Sequence, residues 1–257
     1  AYYDYTSHWN HSGLGPDLRF GLAGGLGSVT EHIYSARLQY PDGSPATLVD
    51  LQSAVIDAQQ SIIERAEQRA VILDPNQTAI GVGIAYNPKN GVFKVVQVFV
   101  RRPASLAALP TTARVGDIVA LSGQLSHADS KYPVILNTAY ETMPRPMSVE
   151  QLRQSGTYAS QAVVFHAVSL NVDSNGNFSG RATLNYANFS GVYHLRVWMR
   201  RPTEDVLIAN YVINASGTAP ANPTPIGHYS TATPTPHMVT ATPTLWVVTA
   251  TPVPTLI

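Results

Sequence analysis

The sequence predicts an α+β chain in three parts: a mixed α/β domain over residues 1–102, an all-β sandwich over 103–216 and an extended, non-globular tail over 217–257. Three observations carry this division. An apolar helical period followed by an Asn-Gly hairpin marks the first part. Short alternating runs separated by turn chemistry mark the second. The third has no Asp, Glu, Lys or Arg and is rich in Thr, Pro and Ala.

In the first part, residues 47–73 contain neither Pro nor Gly, and Leu48, Leu51, Val55, Ala58, Ile62 and Ile63 recur at helical spacing. Two runs of period two follow, over 79–87 and 92–100. Pro88-Lys89-Asn90-Gly91 joins them, and Asn-Gly between alternating runs signals a hairpin. In the second part, alternating runs cover 114–125, 134–140, 162–172, 178–186, 192–200 and 205–213. Ser174-Asn175-Gly176 and Ser190-Gly191 are the clearest turns between them. A short helix is expected from Val149, with Ser148 and Gln151 forming a capping box. In the tail, Thr-Ala-Thr-Pro begins at Thr231, Thr240 and Thr249, and an aliphatic pair closes each repeat: Met238-Val239, Val247-Val248 and Leu256-Ile257. Frequent proline favours polyproline II, whose three-residue turn returns a nine-residue repeat to one face.

Composition narrows the function classes. Hydrophobic residues make up 44% of the chain, but charged residues only 12%, against roughly 25% in a typical soluble domain. Lys and Glu are depleted at interfaces because desolvating them is costly, so neighbours covering much of the surface would explain the shortage; a merely polar surface is the plain alternative. The net charge is zero, which gives no electrostatic footprint for nucleic acid. Cysteine is absent, which removes disulfides, thiolate catalysis and Cys-type zinc sites together. No apolar run approaches the ~20 residues of a membrane span.

Two resemblances add to this reading. Ser7-His8-Trp9-Asn10, Gly13-Leu14-Gly15-Pro16, Arg19, Ala23-Gly24-Gly25 and Glu31-His32 follow the order of a bacterial CAP-superfamily domain, named for cysteine-rich secretory proteins, antigen 5 and pathogenesis-related proteins. Residues 67–73 and the Ile80-Gly81-Val82-Gly83 strand resemble its later motifs, and the resemblance begins after the family's first helix. It implies an α/β/α fold with a cleft of two His and acidic partners, which some members use to bind a divalent metal. His8 and Glu31 match that set, whereas Gln68 stands at the second His position and His32 at an Asn position. A neutral amide is a poor metal ligand, so the cleft formed by His8, Glu31, His32 and Gln68 is expected to be degenerate, with no metal and no cofactor. Residues 171–179 and 191–197 resemble immunoglobulin-like modules, which speaks to fold alone.

No Gly-x-Ser-x-Gly elbow, P-loop or His-Glu-x-x-His occurs, so the chain is expected not to be an enzyme. Its expected function is that of a structural subunit of an extracellular filament or surface polymer. Other copies of itself are the expected partners, with Met238, Val239, Trp246, Val247, Val248, Leu256 and Ile257 as tail anchors. Thr231, Thr233, Thr240, Thr242, Thr249 and Thr251 are the candidate sugar sites. A secreted CAP-type module binding a lipid or small apolar ligand, with the tail as its stalk, is the alternative. A weak metallohydrolase is a third reading.

Overall fold

The computed structural model describes residues 5–221 and 225–226. The tail anchors Met238, Val239, Trp246, Val247, Val248, Leu256 and Ile257 lie outside them, as do Thr231, Thr233, Thr240, Thr242, Thr249 and Thr251.

The described residues are predominantly β, with 43% of them in strands and 17% in helices. A first sheet has the order β1-β3-β2 and is built from β1 (Ser28–Arg37), β2 (Ala79–Asn87) and β3 (Val92–Arg101). The expected 79–100 hairpin forms without a break in register. On one face lies α2 (Leu51–Glu64), N-capped by Asp50, which accepts from the backbone N–H of Gln52 and Ser53. Ala58, Phe93 and Val95 form the core between them. The expected 47–73 helix is interrupted: Arg65, at φ −81° and ψ 117°, leaves helical geometry and separates α2 from α3 (Ala66–Ile72).

Two further sheets enclose the main core. One is three-stranded, from β4 (Ala104–Leu106), β6 (Ile118–Leu125) and β9 (Asn177–Thr183) in the order β4-β6-β9. The other contains β5 (Thr112–Val115), β7 (Val134–Glu141), β8 (Val163–Leu170), β10 (Gly191–Arg200) and β11 (Asp205–Thr218), in the order β5-β11-β10-β7-β8. Alternate residues Tyr193, Leu195, Val197 and Met199 of β10 face this core together with Val119, Leu121 and Phe178 of the smaller sheet. The helix α4 (Val149–Gln154) starts at the Ser148–Gln151 capping box. Short β4 leaves part of β6 uncovered, and there Ile226 pairs in parallel with Val119: its N–H reaches Ile118 O and its carbonyl accepts from Ala120 N–H, both at 2.8 Å.

These findings correct the expected architecture of a CAP-like α/β/α domain followed by an all-β immunoglobulin-like sandwich. An α/β/α domain needs helical layers on both faces of its sheet. The described residues hold four α-helices and three sheets, and the helix within the matched N-terminal motif, α1 (Pro16–Leu22), is only seven residues long. Moreover, α1 buries Leu18 against Val192 and Val212 on the outer face of the five-stranded sheet. The motif residues therefore use their apolar contacts to join the sheets, and the CAP resemblance does not extend to the fold.

Candidate functional site

Glu31 is the centre of the cluster that the sequence singles out. Its position in extended β1 turns it away from α2, and its side chain is 5% exposed. One carboxylate oxygen pairs with His8 Nδ1 at 3.0 Å; the other accepts from Arg19 Nη2 at 2.5 Å. Arg19, on α1, also donates through Nη1 to His8 O at 2.8 Å and Leu14 O at 3.2 Å. One guanidinium thus neutralises a buried carboxylate and pins the loop carrying its other partner.

The neighbouring motif residues serve the same clamp. Asn10 Oδ1 accepts from the backbone N–H of Ser12 and Leu14, closing the turn. Gly13 has φ +75°, and a Cβ there would lie 2.3 Å from Arg145 O; a Cβ on Gly15 would lie 2.0 Å from the Tyr158 ring. The Ser7 and Ser155 hydroxyls are 2.6 Å apart. Trp9 meets Tyr158 edge to face at 5.2 Å. The Tyr158 hydroxyl donates to Asp17, and burial together with that carboxylate pushes the phenol's pKa well up. A cavity of about 290 Å³ opens beside the cluster, bounded by Tyr5, Ser7, Trp9, Arg19, Glu31 and Lys94.

His32 and Gln68 do not complete a ligand set with this pair. Because successive strand residues alternate faces, His32 turns to the α2 side, where it packs against Phe99 at 5.2 Å between centroids. It is 5% exposed and its Nδ1 has no hydrogen-bond partner. Burial, followed by the charge of His8, lowers its pKa from 6.5. Gln68 sits on α3 with Oε1 buried and unpartnered. Gln97, directly across from His32, donates through Nε2 to Gln59 Oε1 at 2.5 Å and leaves its own Oε1 unpaired. Among the described residues, no group of three or more His, Asp or Glu is arranged to hold a metal ion.

Sequence reasoning missed the partners supplied by the segment after β7. Arg145 and Tyr158 carry no local motif, and Tyr158 is 141 residues from its partner Asp17. His194 lies within the alternating 192–200 run, which does not announce a buried polar cluster. His194 is fully buried, with Asn210 Oδ1 and Glu141 Oε2 each 3.3 Å from a ring nitrogen. No protein-family model matches the chain, and no curated protein matches it.

Proposed function

We propose that the protein is a non-enzymatic structural subunit of an extracellular filament or surface polymer, held to other copies of itself by its C-terminal tail. The observation that carries this reading is an edge of the first sheet that no other strand pairs with among the described residues. Strand β2 is terminal in the order β1-β3-β2, and Ile80, Val82 and Ile84 are each about half exposed along it. Natural edge strands are blunted by charge, proline, bulges or short length; Ala79–Asn87 has no charge, no proline and an unbroken register over nine residues. Such an edge is a template for another chain. The uncharged tail, with an aliphatic pair in every repeat, has the composition to use it. A tail and a receptor surface at different places make a heterologous contact, which propagates.

The His8–Glu31–Arg19 cluster fits this reading as a joint between sheets, because both carboxylate oxygens are already committed within the chain. Negative-stain microscopy and size exclusion of the full chain test the proposal. Polymers are expected, and deletion of residues 227–257 should abolish them while thermal unfolding is preserved. A native monomer with a protease-sensitive tail would overturn it.

A second reading has its own observation. A cavity of about 640 Å³ is bounded by the aromatic and apolar Trp9, Tyr140, Met143, Pro144 and Met147 and by the polar Glu141, Thr142, Arg145 and Gln161, and small-ligand sites combine apolar walls with placed polar groups. A lipid or small apolar molecule recovered by native mass spectrometry of the purified chain would favour it.

A further inference from the structure

We propose that the β2 edge is the receptor for one defined piece of the tail of a second copy, the proline-free octad Thr244–Leu245–Trp246–Val247–Val248–Thr249–Ala250–Thr251, which adds to the sheet as a fourth strand. This rests on the polymer reading above and supplies its contact. Three features of β2 select the occupant.

The first is hydrogen bonding. Leu38 N–H donates to Gly91 O at 2.9 Å at the start of the β1–β3 ladder. The ladder alternates, so odd-numbered residues of β3 bond to β1 and even-numbered ones to β2. Register then places the odd residues of β2 opposite β3, as in Gly81 with Val98 and Gly83 with Val96. Ile80, Val82 and Ile84 turn their N–H and C=O groups to the free edge. An incoming strand must supply matching groups over several successive residues, and proline lacks the N–H. Beyond Ile226, the octad between Pro243 and Pro252 is the longest proline-free run of the chain.

The second is side-chain shape. Ile80, Val82 and Ile84 share a face with Phe93 and Val95 and are each about half exposed beside that core. The opposite face carries Gly81 and Gly83, where an added Cβ would meet nothing within 4 Å. The octad alternates in the complementary sense: Leu245 and Val247 on one side, Trp246 and Val248 on the other. Seating Leu245 and Val247 against the isoleucine face places Trp246 over the glycines, where an indole covers backbone that no side chain of β2 shields.

The third is reach. The octad begins 18 residues after Ile226, since 244 − 226 = 18, and that length spans up to about 60 Å when extended. A compact body of this size has a radius of gyration near 17 Å, which puts its surface roughly 22 Å from its centre. Prolines at 234, 236 and 243 resist folding back, which favours a neighbouring body over the chain's own. Among the described edge strands, β8 also exposes apolar side chains but suits the role less. Its pairing with β7 shifts register between Thr138 and Ala139, and such irregularity discourages further pairing.

The test uses full-length chains. V82P removes one outward N–H at an edge position that tolerates proline, V82K places a charge there, and V247P breaks the octad. Each alone should be monomeric in size exclusion with light scattering, with unchanged circular dichroism. Mixing V82P with V247P should restore a two-chain complex, because one partner keeps an intact tail and the other an intact edge. W246A should raise the concentration needed for assembly by about tenfold or more. Polymers from V82P and V82K equal to those of the native chain would overturn the β2 assignment and leave tail-driven assembly standing. A native chain that is monomeric at every concentration would overturn both. Monomeric single variants that fail to combine on mixing would show docking within one chain and overturn the second copy as donor.

Discussion

Replacing Arg19 with alanine is the sharpest test of the view that the His8–Glu31 cluster is a joint. The guanidinium makes three hydrogen bonds: to Glu31 Oε2 at 2.5 Å, His8 O at 2.8 Å and Leu14 O at 3.2 Å. Removing it leaves a carboxylate 5% exposed with His8 as its remaining partner. Stranding a buried charge costs about 3–5 kcal/mol. Arg19 is itself 31% exposed, so water recovers part of that, and the loss should fall near ~3 kcal/mol. For a body of this size that corresponds to a fall in Tm of about 6–12 °C. Urea unfolding followed by tryptophan fluorescence suits the measurement, because Trp9 packs on Tyr158 within the same clamp. Arg19→Lys keeps the charge but loses the fork, and should recover roughly half of the loss. A change within ~0.5 kcal/mol for Arg19→Ala, the range of ordinary surface substitutions, would refute the reasoning and mark the cluster as a solvated site.

Other consequences are equally direct. Gly13→Ala forces a Cβ to 2.3 Å from a carbonyl oxygen at φ +75°, and should destabilise by about 2 kcal/mol or more in chemical denaturation. Leu18→Ala removes the apolar anchor of α1 on the five-stranded sheet; at 1% exposure it should cost about 2–5 kcal/mol and unfold the whole body in one transition. His32 is held neutral, so the unfolded state binds the extra proton. Stability should be full above the ordinary imidazole value of 6.5 and decline as pH falls through 6.5 toward the lowered native value. His32→Gln should flatten that part of the pH–stability curve relative to the native chain.

The parts of the fold legible in the sequence were those fixed by local chemistry. Asn90-Gly91 set the β2–β3 turn, alternation marked β6, β7, β9 and β10, and Ser148 with Gln151 capped α4. The break at Arg65 left no trace, because its neighbours keep a helical apolar period. The 114–125 run hid a turn at Gly116, with φ +94°, which splits β5 from β6 and lets β5 pair in parallel with distant β11. The largest error was reading the N-terminal motif as the signature of an α/β/α fold. Gly13, Gly15 and Arg19 do form a specific constellation, but its partners Arg145 and Tyr158 come from a segment about 130 residues later, and no local pattern announces them. At the site, the association of His8 with Glu31 was expected from the family resemblance alone, and strand alternation accounts for the opposite facing of Glu31 and His32; the burial of His194 between Glu141 and Asn210 depended on long-range pairing.

Amide hydrogen exchange at β2 tests most directly whether the tail of one copy covers the sheet edge of another. In assembled full-length protein the amides of Ile80, Val82 and Ile84 should exchange slowly, and in the chain lacking residues 227–257 they should exchange as rapidly as an open edge allows. Equally fast exchange at these three amides in both forms would contradict the account.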